Sequence, residues 1–388
     1  MNKIDIVYER QWSSLPNVVA ALQKLGMMGH LYGGFPKFRY VKSGISPKII
    51  RTFPVAALWN HSVRRLTLPK KLLADEARWV GDWVARSRDL APWIWANGTA
   101  HRFLFPKLAE TGRTLILERG STHPENLFLQ PQIARKDAGY PYTLEVPRRF
   151  IEEVQATHLA TGIIAASEHV RQSYIERGFF PDMIHDGSFG IDTEAFPFHL
   201  RSVPTNRKIR LLTVGIIGFR KGLHRLLKMG EWAIRKNIDL ELHFAGPIYD
   251  PEAHEMFEKS SAVCIRHGTV KNEALMKLFR DSDMYALPAY EEGLPFSVLE
   301  AMSTGLAAIV SNDTGAREPV QHGVSGLILR RFDDEEFDSE LEPILRNPEK
   351  FVTMGLNARA RIEENYTVEH YFQRIETALN KIELRIVA

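Results

Sequence analysis

Apolar residues return along this chain in two rhythms, short continuous runs and longer stretches that repeat every three or four positions. The runs Ile4–Tyr8, Leu115–Leu117, Gly162–Ala166, Ile209–Val214, Leu240–Phe244, Met284–Leu287 and Ala307–Val310 predict buried strands. Between them, the three-to-four spacing predicts helices over Pro16–Leu25, Val146–Leu159, Leu223–Lys236, Asn272–Arg280 and Pro295–Thr304, with a terminal helical region over Pro348–Ile386. A further helix runs from Glu168 to Arg177, with Ser167 as its N-cap and Gly178 as its stop. Strands alternating with helices predict an α/β protein with parallel sheets.

The periodicity breaks over Phe196–Pro204, where two prolines fall within nine residues, and then the alternation restarts. This tract is the candidate linker between two Rossmann-like halves, 1–203 and 204–365. A terminal helix, about 366–388, is expected to pack back on the first half. There is no internal repeat of 20–50 residues, which argues against a solenoid.

A chain of 388 residues is long enough for two cores, and 44% hydrophobic with 25% charged residues excludes a disordered or fibrous protein. The single cysteine, Cys264, leaves no internal disulfide and no cysteine metal cluster, so a reducing compartment is expected. Asp5, Glu9 and Arg10 interrupt the amino terminus, and no apolar run reaches the ~20 residues of a spanning helix. A cytoplasmic location follows as the expectation.

The net charge of +3 conceals an asymmetry: residues 1–200 carry +6 and residues 201–388 carry −3. Residues 10–74 hold no acid, while Arg10, Lys24, Lys37, Arg39, Lys42, Lys48, Arg51, Arg64, Arg65, Lys70 and Lys71 are basic. Trp12, Tyr32, Phe35, Phe38, Tyr40, Phe53 and Trp59 are interleaved with them. Two readings fit: a solvated basic face over core aromatics, or a surface for phospholipid headgroups, a phosphorylated acceptor or nucleic acid.

Two stretches of the second half carry chemistry. Leu211–Gly222 is a strand, a loop containing Gly215 and Gly218, the cations Arg220 and Lys221, and then a helix start. Glycines let backbone approach a phosphate and a helix N-terminus offers free N–H groups, although a structural turn with two cations has the same pattern. Neither the dinucleotide fingerprint nor the Walker A spacing is present. In Tyr290–Met302, Glu292 falls in a loop and Glu300 in the helix that follows, with Gly293, Leu294 and Pro295 at that helix start. Two carboxylates flanking an anion cradle suit a ligand with phosphates in the middle and hydroxyls at both ends. Asp281-Ser-Asp283 has the form of a metal-binding pair, but it ends a helix and enters a strand, so no metal site is expected.

Glu292 and Glu300 with seven residues between them, followed by Ala301–Gly305 and Ala308–Asn312, resemble the retaining nucleotide-sugar glycosyltransferases of family 4. Gly215 with Lys221-Gly222, Gly268–Val270, Asp283–Pro288, and Gly315, Glu318, Gly323 and Gly326 agree in order, as do Gly162–Ser167 and Gly190–Phe196. The resemblance covers about 160–330, and the first 110 residues only in outline. It implies a GT-B fold, two Rossmann-like domains facing each other across a cleft, and a donor that is a nucleoside diphosphate sugar, with no further cofactor. It implies that Glu292 touches the transferred sugar, Glu300 the ribose, and Arg220 and Lys221 the diphosphate. Gly215, Gly218, Val270, Gly293, Leu294 and Pro295 then line the nucleotide-sugar site. A histidine of the N-terminal domain often reaches the donor sugar in this family; His123 is the leading candidate, ahead of His101 and His30. Two departures stand out: Ile216 replaces the arginine usual beside the phosphate-loop glycine, and no glycine pair follows the first strand.

The resemblance implies sugar transfer to a glycan or glycolipid acceptor of the cell envelope, with residues 10–74 meeting an anionic membrane face. A sugar-nucleotide epimerase of the same fold is the alternative. A nucleic-acid-binding protein would account for residues 10–74 but not for the Glu292/Glu300 spacing, so nucleic acid is not the expected partner.

Overall fold

In a computed structural model, which describes residues 2–9, 14–204 and 207–387, the chain forms two parallel sheets flanked by helices. The first contains β1 (Ile4–Tyr8), β2 (Met28–Gly33), β3 (Ile50–Thr52), β4 (Trp93–Asn97), β5 (Thr114–Arg119), β6 (Gly162–Ala165) and β7 (Ile184–Asp186), in the order β3-β2-β1-β4-β5-β6-β7. The second contains β8 (Ile209–Val214), β9 (Leu240–Ala245), β10 (Cys264–Gly268), β11 (Met284–Leu287), β12 (Ala307–Ser311) and β13 (Gly326–Leu329), in the order β10-β9-β8-β11-β12-β13. Strands covered on both faces read as unbroken apolar runs, and β4, β6, β11 and β12 are buried at every position. The edge strand β10 is half-exposed, and its Arg266 and His267 give no such run.

Helices follow where the spacing places them, with shifts of one or two residues at the ends. Ser167 caps Glu168–Ile175 by accepting from the Val170 amide at 3.1 Å. Leu223–Arg235 buries Leu223, Leu226, Leu227, Gly230 and Ala233 against the second sheet. The terminal helical region is two helices, Pro348–Asn365 and Val368–Val387.

The chain divides into two compact units. One comprises Met1–Glu125, Val146–Ser188 and Tyr371–Ala388; the other comprises Asn126–Glu145 and Phe189–His370. Residues 196–204, which the broken periodicity marks as a linker, lie with the second unit. There Ser303 Oγ and Arg359 Nη1 both donate to the Phe196 carbonyl, and the His199 amide donates to Thr304. The tail helix belongs to the first unit, where Arg385 donates to the Thr161 carbonyl at 3.1 Å.

In both sheets the strand order reverses beside the first strand, between β1 and β4 and between β8 and β11. Ligands of open α/β sheets gather outside the carboxyl ends of the strands at such reversals. At the first reversal the protein's own carboxylate fills the space: Glu9 accepts from the Thr99 amide at 2.8 Å and the Ala100 amide at 3.2 Å, at the start of helix His101–Leu108. The second reversal is where the candidate chemistry collects.

Candidate functional site

The loop after β8 runs from Gly215 to Gly222, and the loop after β11 from Pro288 to Pro295. Hydrogen bonds stitch them together: the Tyr290 amide donates to the Arg220 carbonyl at 2.9 Å, and the guanidinium of Arg225, in the helix that follows the first loop, donates to the Pro288 carbonyl at 3.2 Å. Gly222 makes the approach possible. Its φ is +74°, and a Cβ there would stand 2.1 Å from the Pro288 carbonyl oxygen.

This brings the part-buried Arg220 and Lys221 against the buried Glu291 and Glu292 in one cluster. Arg220 Nη1 lies 2.7 Å from a Glu292 oxygen, 2.9 Å from a Glu291 oxygen and 2.9 Å from the Glu291 carbonyl, and Lys221 Nζ also pairs with Glu292. Burial works against the Glu292 carboxylate, but Arg220 and Lys221 outweigh it and hold its pKa below the ordinary value. Arg220 is raised, chiefly by Glu292; Lys221 is lowered, chiefly by burial. The cluster sums to no net charge, with two cations converging on one oxygen.

Glu300 differs. It lies in helix Phe296–Ser303, its carboxylate makes no hydrogen bond or ion pair among the described residues, and burial pushes its pKa up to about 7. Leu294 is buried and Pro295 opens that helix. Gly215 and Gly218 lie in the first loop, Gly293 in the second. Val270 follows the edge strand β10, two strands from β8, at the same carboxyl end of the sheet.

The candidate histidines belong to the first unit. His123 follows β5 and is buried against Tyr174 and Phe179; its Nδ1 accepts from the Glu125 amide at 3.4 Å, while Nε2 has no partner among the described residues. Burial lowers its pKa to about 4, so it is a neutral imidazole. His101 is spent structurally, on the Gly98 carbonyl and Thr157 Oγ1. His30 lies beside Asp5 and Arg51.

Asp283 accepts two bonds from Arg207, at 2.6 and 2.7 Å, and one from the Arg210 amide, which fixes the entry to β11. Among the described residues no three His, Cys, Asp or Glu side chains are grouped to hold a metal ion. The part played by Glu291 carries no sequence signal: it is an acid beside an acid until the fold brings Arg220 against it.

Within the basic segment, Arg10 and Trp12 lie outside the described residues. Helix Val55–Arg65 turns Leu58 (52% exposed) and Trp59 (51%) outward, and Leu66 (64%) follows it. Phe38, Val41 and Leu68 are also exposed, with the basic residues Lys37, Arg39, Lys42, Arg64, Arg65 and Lys71 exposed in the same segment. No helix of the described residues is long and apolar enough to cross a membrane.

Residues 198–361 match the family model of the group 1 glycosyl transferases. A capsular polysaccharide biosynthesis glycosyltransferase, CapM, of Staphylococcus aureus is 22% identical over 60% of this chain and 64% of its own. An amylovoran biosynthesis glycosyltransferase, AmsK, of Erwinia amylovora is 24% identical over 54% of this chain and 53% of its own. This chain spans about half to two thirds of the length of such curated relatives. Among solved structures, HepE of Anabaena in complex with UDP-glucose is similar with a TM-score of 0.70 at 15% identity, over 98% of this chain and 100% of that one. The likeness shows the fold: two Rossmann-like halves of the GT-B type.

Proposed function

We propose that the chain is a glycosyltransferase that moves a sugar from a nucleoside diphosphate sugar to an acceptor hydroxyl, with retention at the anomeric carbon. The observation that carries this reading is the pair Arg220 and Lys221, held with Glu292 where the strand order of the second sheet reverses. The match of residues 198–361 to group 1 glycosyl transferases supports it. The solved relative with UDP-glucose supports a nucleotide-sugar donor, and the capsular and amylovoran relatives support a role in envelope polysaccharide or glycolipid synthesis.

In this reading Arg220 and Lys221 face the diphosphate, Glu292 the sugar and Glu300 the ribose. As the bond between anomeric carbon and diphosphate breaks, negative charge grows on the leaving phosphate, and the two cations stabilise that transition state more than the ground state. The acceptor oxygen bonds to the anomeric carbon on the face the diphosphate leaves, and its proton passes to a phosphate oxygen. A covalent glycosyl-enzyme is disfavoured because Glu292, the carboxylate assigned to the sugar, is already engaged by two cations. His123, neutral at pH 7, would offer a hydrogen bond rather than a charge to the sugar. The exposed apolar and basic residues between Phe38 and Leu72 support peripheral contact with an anionic membrane that carries the acceptor.

The test is a thermal-shift screen of nucleotide sugars, followed by turnover with the stabilising donor. Stabilisation by one donor and acceptor-dependent release of its nucleoside diphosphate are expected. Formation of an epimer from donor alone, without acceptor, would overturn the reading.

A further inference from the structure

Residues 126–145 interrupt the first unit in sequence yet belong to the second. They touch the two site loops at the residues next to the charges. Asp137, the last residue of helix Pro124–Asp137, accepts a hydrogen bond from the Tyr290 hydroxyl at 2.9 Å. On the other loop, Phe219 takes the ring of Tyr140 edge-on at 5.2 Å and the Arg135 guanidinium over its face at 4.6 Å. Arg135 is itself anchored to Glu252 at 2.6 Å. Phe219 precedes Arg220, and Tyr290 precedes Glu291 and Glu292.

The protons around Tyr290 can be assigned. A carboxylate only accepts, so the Tyr290 hydroxyl donates to Asp137; His224 Nε2, 2.8 Å from the same oxygen, must then be the donor to it. His224 therefore carries a proton on Nε2, and burial lowers its pKa to about 4, which makes it the neutral Nε2–H tautomer at pH 7. Arg225 lies 3.6 Å from the centre of the Tyr290 ring and holds its face. Tyr290 is fixed at its hydroxyl, its ring and its main-chain amide, and that amide is bonded to the carbonyl of Arg220.

We infer that Asp137 and Tyr290 are positioning residues for nucleoside diphosphate binding. Through them, the 126–145 segment sets the spacing between the Arg220–Lys221 loop and the Glu291–Glu292 loop. The inference rests on the function proposed above, but neither side chain needs to touch the ligand. Loss of the Tyr290–Asp137 bond lets the second loop move against the first, and the cations then meet the diphosphate less well. Removing the Tyr290 hydroxyl breaks the bond to Asp137 together with that from His224, so removing Asp137 as well adds no further loss.

Calorimetric titration of uridine, guanosine and adenosine diphosphates into the full chain, wild type and the variants Tyr290→Phe, Asp137→Ala and the double variant, tests this. The wild type is expected to bind at least one of them. Each single variant should bind it about three- to tenfold more weakly at an unchanged melting temperature, the double variant no more weakly than Tyr290→Phe alone. With the corresponding donor sugar, its KM should rise by the same factor while kcat changes little. Wild-type affinity in both single variants, or multiplied losses in the double variant, would overturn the inference and leave the proposed function standing. If the wild type binds none of the three, the proposed function falls and this inference with it.

Discussion

The backbone amide of Tyr290 donates to the carbonyl of Arg220 at 2.9 Å, so the loops after β8 and β11 are a single structural object. The charges they carry inherit that rigidity: Arg220 is bonded both to the main chain and to the side chain of Glu291. The site is preorganised by backbone, and its side chains are already paired with one another.

Removing one cation should therefore affect chemistry more than folding. Lys221→Ala still leaves Glu292 paired with Arg220 at 2.7 Å, so the buried carboxylate keeps a partner. Turnover is expected to fall about a hundredfold or more, as when a donor to a developing anion is lost, with little change in melting temperature. Glu292→Gln should also cripple transfer. Near-wild-type kcat in both variants would remove this cluster from the mechanism.

Glu300 should make donor binding depend on pH. Burial raises its pKa from 4.5 to about 7, so the folded state holds a proton there that the unfolded chain has released. Its contribution to stability is fully present below about pH 4.5 and is lost as pH rises through about 7. The ionised carboxylate accepts from ribose hydroxyls more strongly than the neutral acid does, so affinity should move the opposite way. The donor KM is expected to fall by up to about tenfold between pH 6 and pH 8, in step with the ionised fraction. Glu300→Gln should flatten that profile at the weak end; an identical profile in the variant would exclude Glu300 as its source.

Gly222→Ala tests the approach of the two loops. The residue has φ +74°, and the added Cβ would stand 2.1 Å from the Pro288 carbonyl oxygen. The left-handed backbone alone costs about 1–2 kcal/mol for a side-chain-bearing residue, and the overlap forces the loops apart as well. Reduced stability on chemical denaturation and weakened nucleotide binding are both expected. A variant with wild-type stability would mean that the loops yield more readily than their hydrogen bonds suggest.

A buried ion pair in the first unit carries stability rather than chemistry. Arg119, at the end of β5, meets Glu153 at 2.8 Å with both side chains buried. Burial opposes the charge on Arg119, yet Tyr174 and Glu153 outweigh it and its pKa is raised. Glu153→Ala removes the carboxylate from that guanidinium, leaving it the Gly98 carbonyl at 3.4 Å, and should cost about 3–5 kcal/mol, measured by urea denaturation. A loss below about 1 kcal/mol would show that water or another group reaches Arg119.

The sequence discloses these features unevenly, for a physical reason. β8 and β11 are legible because their covered faces make them largely apolar runs, broken in β8 only by Arg210 and Thr213, and Glu292 and Glu300 are legible because their relation is local in the chain. The pairing of Arg220 with Glu291 joins residues 71 apart, and that of Glu9 with Thr99 joins residues 90 apart. Each depends on which strands become neighbours, which no local spacing encodes. The excursion of residues 126–145 is hidden for the same reason, because Asp137 and Tyr290 are 153 residues apart. The acid-free segment was legible as charge, whereas the outward turn of Leu58 and Trp59 appears only when helix Val55–Arg65 buries its other face through Ala56, Asn60 and Val63.

That outward face leads to a prediction about membranes. Exposed Leu58, Trp59 and Leu66 would enter the headgroup region, while Arg64, Arg65 and Lys71 are attracted to anionic lipid at about 1 kcal/mol each. The protein should sediment with phosphatidylglycerol vesicles and not with phosphatidylcholine vesicles, and binding should weaken as salt shortens the Debye length. Leu58→Glu with Leu66→Glu should abolish sedimentation while turnover of a water-soluble acceptor persists, because neither residue adjoins the Arg220–Glu292 cluster in the chain or belongs to its unit. Charge reversal at Arg64 and Arg65 should abolish it as well. Equal sedimentation with both vesicle types, or with neither, would refute membrane contact through this face.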